Sequence, residues 1–121
     1  MGIRPAQMIL RTLFLINLVL GILFWTGALG GEWIRLHMVV GILFVITLFY
    51  VGFAAAVKGA PIGLQAGTWI VGLALAVVGF VQAAGPLPLW LRIVHLLLAL
   101  LAIGLGEMAG GRARRAALSK A

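Results

Sequence analysis

His37 and His95 are the only two histidines in the chain. Imidazole is the side chain best suited to holding a metal or moving a proton near neutral pH. The two stand 58 positions apart, and the same shift brings Gly21 onto Gly79, Gly27 onto Gly85 and Gly52 onto Gly110. One residue out of step, Trp33 falls on Trp90 and Arg35 on Arg92. Glycine is common here, so some of its matches arise by chance. Agreement among scarce residues is what marks a repeat. Each half reads as a helical hairpin whose second helix opens with Trp-x-Arg and reaches a histidine within about a turn.

Two imidazoles are too few for a bare zinc or copper ion, which takes three or four protein ligands. The chain has no cysteine and only two acids, Glu32 and Glu107. Glu32 precedes helix two and Glu107 lies near the far end of helix four. A haem iron needs less from the protein, because the porphyrin provides four nitrogens and leaves two axial positions. His37 and His95 are therefore the candidate metal ligands, with haem b as the cofactor. Bacteriochlorophyll or chlorophyll, whose magnesium takes one axial histidine, is the alternative. Gly41 and Ala99 each stand one turn after a histidine, where a small residue lets a flat ring approach. Arg35 and Arg92 lie outward of the histidines, and a guanidinium there suits a propionate carboxylate.

Four apolar runs must position these residues. Hydrophobic residues make up 64% of the 121 and charged residues 9%, against about half and about a quarter in an ordinary soluble domain. A spanning helix needs roughly 20 apolar residues. The pattern predicts helices over 9–29, 33–57, 67–84 and 89–109, broken at Gly30-Gly31-Glu32, at Lys58 to Pro61 and at Gly85-Pro86-Leu87-Pro88. A small, mobile basic tail over 110–121 follows. The expected fold is an all-α integral membrane four-helix bundle in one domain, made of two parallel-repeat hairpins. Helices two and four then run the same way, with their histidines at one depth. The first run lacks a small-residue cleavage pattern and leads straight into another apolar run, so it reads as a span rather than a removable signal.

The formal charge is +7, but the basic residues flank the apolar runs and line no face for nucleic acid. Arg4, Arg11, Lys58, Arg112, Arg114, Arg115 and Lys120 fall on one side of the four spans, and Arg35 and Arg92 on the other. The richer side is expected to be cytoplasmic, with both termini there and the histidines near the outer face. The expected partners are the lipid bilayer, including anionic head groups under the tail, and a quinone or redox protein. Glycine-rich helices one and three suit a homodimer. Asn17, Thr47 and Gln82 are placed to join helices by hydrogen bonds. Glu107 is expected to snorkel to the interface near Arg112.

With His37 and His95 on facing helices of such a bundle, the chain resembles, loosely, the four-helix membrane cytochromes of b type. That resemblance implies a bis-histidine haem and single-electron transfer, or redox or gas sensing. Families of the cytochrome b561 kind use four ligating histidines and two haems. Two histidines provide for one haem near one face, which by itself does not carry an electron across the whole bilayer. Two other functions fit the same composition: an accessory or scaffold subunit of a membrane complex, and a small transporter or channel along the pseudo-two-fold axis. Small multidrug exporters need an acid in helix one, where this chain has only Asn17. No hydrolase, P-loop or dinucleotide motif is present, so soluble-type catalysis is not expected.

Overall fold

The computed structural model describes residues 1–85 and 88–120. It contains four long α-helices: α1 (Ile3–Trp25), α2 (Ile34–Val57), α3 (Ile62–Ala83) and α4 (Leu89–Leu118). A single 3-10 turn, Gly31–Trp33, leads into α2. All four helices are long and apolar enough to cross a bilayer. The chain is an integral membrane four-helix bundle. Helices satisfy their own backbone polar groups, which lipid cannot do for them.

The helix ends differ from the apolar pattern for definable reasons. α1 begins at Ile3, six residues before the expected Ile9, because Pro5 falls in the first turn, where a missing amide hydrogen costs nothing. The early turns are held by packing, with Ile3, Ala6, Gln7 and Leu10 buried. The same helix stops at Trp25 rather than Leu29. Gly27 takes φ +77° and the Ala28 and Leu29 amides turn back onto the Leu23 carbonyl at 2.9 and 3.2 Å, a glycine-terminated helix end. Gly59, at φ +96°, closes α2 in the same way.

α3 starts at Ile62, five residues before the expected Gly67, with Pro61 as its N-cap. Of the expected turn at 85–88, Pro86 and Leu87 lie outside the described residues. The largest correction is at the C-terminus. The segment expected as a mobile tail continues α4 as helix to Leu118. It does so because Ala109, Gly110 and Ala113 are buried, the two alanines in a cluster with Ile3, Ala6, Val51, Ala55 and Ala60. Hydropathy ends at the lipid boundary, but helix packing does not.

The helices are arranged in cyclic order, with α1 and α3 on opposite flanks and out of contact. α2 and α4 touch across the middle. α2 is the central helix, 39% of its span being buried against 11–17% for the others. Its Phe44, Val45 and Leu48 form the mid-membrane core with Leu10, Leu75 and Ala102. Both histidine-bearing helices thus meet on the short diagonal of the bundle.

Candidate functional site

The histidine pair is built from the second helix of each hairpin. His37 lies in the first turns of α2 and His95 in the first turns of α4. Their ring centroids are 6.3 Å apart and their planes are inclined by 54°. Two imidazoles bound to opposite sides of one metal are expected about 6 Å apart. That spacing is two metal–nitrogen bonds of about 2 Å each plus half of each ring. Imidazoles joined by a direct N–H···N bond would lie closer.

The glycine repeat has a direct structural meaning. A Cβ placed at Gly21 on α1 would come 3.7 Å from His37 Cε1, and one at Gly79 on α3 would come 3.2 Å from His95 Cε1. Each first helix of a hairpin therefore presents bare backbone to the histidine of its second helix. The two halves build the same cradle twice, more tightly around His95.

The surroundings of the two rings nevertheless differ. In the orientation that satisfies both ends of its amide, Asn17 donates to His37 Nδ1 at 3.2 Å and to the His37 carbonyl at 3.0 Å, and accepts from the Gly41 amide at 3.2 Å. Phe24 meets the His37 ring edge-on at 5.5 Å. The position equivalent to Asn17 in the second hairpin is Leu75, which offers no hydrogen bond. His95 Nδ1 is correspondingly buried and without a partner, the one such side-chain atom among the described residues. A buried polar atom left in that state costs free energy of about 1–3 kcal/mol.

The other residues expected at the cofactor have these surroundings. Gly41 makes room for Asn17, whose side-chain amide lies 3.0 Å from where a Cβ would stand. Ala99 packs on the mid-membrane core beside Leu98. Arg35 and Arg92 share the histidines' end and are exposed, with no side-chain hydrogen bond or ion pair among the described residues. Trp33 and Trp90, 45% and 62% exposed, suit a membrane boundary.

The expected helix-joining polar residues divide. Asn17 joins α1 to α2, and Gln82 reaches the Leu91 carbonyl of α4 at 3.4 Å. Thr47 bonds only to the Leu43 carbonyl of its own helix. Glu107 pairs with Arg11 rather than Arg112, through Arg11 Nε to Oε1 and Nη2 to Oε2, both at 2.7 Å.

Beside that pair is Gln7, 2% exposed, which composition did not single out. Its amide donates to Glu107 Oε2 at 3.3 Å and the Gly106 carbonyl at 3.5 Å, and accepts from Arg114. The 58-residue shift pairs Gln7 with Gln65, the one signal that marked it. Among the described residues no group of three or more His, Cys, Asp or Glu side chains converges. Any metal held by protein side chains alone is thus short of ligands. The fold and the paired histidines define the class, a membrane-spanning four-helix bundle with two imidazoles 6.3 Å apart near one end. Comparison with protein-family models, curated proteins and solved structures found no match.

Proposed function

We propose that the chain is a membrane b-type haem protein in which His37 and His95 would hold one haem b between them. The observation that carries this reading is the 6.3 Å separation of the two rings. They come from separate hairpins, at the spacing one shared metal centre requires. Two chlorophyll-type rings, each with its own axial histidine, have no use for imidazoles so close together. The residues present fit a haem in three further respects. The glycines at 21 and 79 keep side chains off the imidazole edges. His95 Nδ1 is buried without a partner. Arg35 and Arg92 lie at the same end, available to carboxylates.

When bound, the haem would supply a reversible one-electron iron couple. The chain's own part is to hold both imidazoles neutral and aimed, to exclude water with the apolar walls of α2 and α4, and to place Asn17 at His37 Nδ1. Asn17 bonds both Nδ1 and the backbone carbonyl of His37 and so would hold that ring in one orientation. Such outer partners orient a ligating histidine. A haem held by both imidazoles would favour electron transfer over oxygen chemistry. The partner is then a quinone or a redox protein. The seven basic residues gathered at the opposite end support a cytoplasmic side for that end and both termini, by the positive-inside rule.

The test is spectroscopic. The protein is expressed with ample haem supply, purified in mild detergent and examined oxidised and reduced. Sharp reduced bands of a six-coordinate low-spin haem are expected, abolished or altered in both His37→Ala and His95→Ala. A folded but colourless protein would turn the assignment toward an accessory subunit or a transporter, which a liposome flux assay then separates.

A further inference from the structure

The end of the bundle remote from the histidines carries two adjoining clefts, of about 330 and 450 Å³. Both are lined by Arg4, Arg114 and Ala117; Lys58 completes one and Arg115 the other. No acidic side chain lines either. The chain has only two acids: Glu107 is taken by Arg11, and Glu32 sits in the turn before α2 at the other end. Four cations therefore converge where no carboxylate side chain lines the clefts, the nearest, Glu107, being bonded to Arg11 while also acting on Arg114. The first cleft is also walled by Ile3, Pro5 and Ala113, so it joins a cationic rim to an apolar side. Gly2, in the same wall, caps α1 with no side-chain hydrogen bond.

We propose that these clefts, between the first turn of α1 and the last turns of α4, bind the phosphate head group of an anionic membrane lipid. The chemistry recognised is a phosphodiester, met by guanidinium groups suited to its paired oxygens. The apolar wall identifies the source, since a soluble phosphate has no acyl chain to set against Ile3 and Pro5. Basic sites of this kind between membrane helices hold anionic head groups. The helical extension of α4 exists, on this account, to carry Arg114 and Arg115 to the site. The proposal is independent of any haem.

The intact protein in neutral detergent is incubated with equal amounts of phosphatidylglycerol and phosphatidylcholine, and retained lipid is counted by native mass spectrometry. Preferential retention of one phosphatidylglycerol is expected. The double variant Arg4→Gln/Lys58→Gln touches none of the Gln7 and Glu107 bonds, and should weaken that preference roughly tenfold with helical content unchanged. Arg112→Gln/Lys120→Gln removes the same charge at the same end but outside the clefts, and should leave the preference intact. Equal retention of the two lipids overturns the proposal, as does equal loss in the two double variants. Stoichiometric binding of inorganic phosphate that displaces no lipid overturns the lipid as its source.

Discussion

Arg11 on α1 clasps Glu107 on α4 through two bonds of 2.7 Å, joining the first helix of the chain to the last. The pair lies on the rim, with the side chains 55% and 34% exposed. Solvent and salt weaken such contacts. Glu107→Gln should therefore leave the bundle assembled and lower its melting temperature only slightly, less so in high salt. A collapse of helical content on circular dichroism would show that the pair organises the fold rather than trimming it.

Gly110 and Gly104 lie two turns apart on α4 and should respond oppositely to alanine. A Cβ at Gly110 would overlap Gln7 Cδ and Nε2, whereas at Gly104 nothing lies within 4 Å. Gln7 is buried and bonded on several sides, so it cannot move aside cheaply. Gly110→Ala is expected to destabilise by about 1–3 kcal/mol, as overpacking does. Gly104→Ala should be neutral or favourable by up to about 1 kcal/mol, from helix propensity. Reversible unfolding in mixed micelles compares them, and equal effects would refute the packing at Gln7.

Gly79 and Gly21 occupy equivalent positions but allow different room, 3.2 Å to His95 Cε1 against 3.7 Å to His37 Cε1. The first is tighter than ordinary contact and the second is not. Gly79→Ala should thus displace its imidazole, while Gly21→Ala should be tolerated. On the haem assignment, Gly79→Ala shifts the reduced spectrum and Gly21→Ala leaves it near wild type. The reverse order would mean that the two cradles are not as described.

Asn17 is a positioning residue for His37. Asn17→Leu gives α1 the residue that α3 has at its equivalent position, Leu75, and removes the partner of His37 Nδ1. Loss of an outer-sphere partner of this kind costs roughly 10-fold or more in affinity for the metal centre. Haem titration of the apoprotein measures it, and a midpoint-potential shift distinguishes altered ligand basicity from simple loosening. Unchanged affinity and potential would leave Asn17 with a packing role alone.

The chain has no cysteine, so single cysteines report orientation without background. Lys120→Cys should be shielded from a membrane-impermeant maleimide added to intact cells, and Glu32→Cys should be labelled. The opposite pattern would place the basic end outside.

Much of the architecture was legible before any coordinates. Length and apolarity alone require four spanning helices, and the positions of arginine and lysine gather charge at one end. The matched Trp, Arg and His residues put two imidazoles at one height. Where those helices begin and end was less legible, because Ile3, Gln7, Ala109 and Ala113 are held by neighbours rather than by lipid.

Tertiary structure alone decided which way each helix is turned. In a soluble bundle the buried stripe is apolar and the outer face polar, so the pattern reveals the phase. In lipid both faces are apolar, and α2 is hydrophobic all the way round. The sequence could place His37 and His95 at one depth but could not say that their rings stand 6.3 Å apart. Nor could it say that Gly41 packs against Asn17, or that Gln7 is buried against Gly110. Those contacts depend on helix rotation and on the order of helices around the axis, and both are set by side-chain packing between helices that hydropathy does not record.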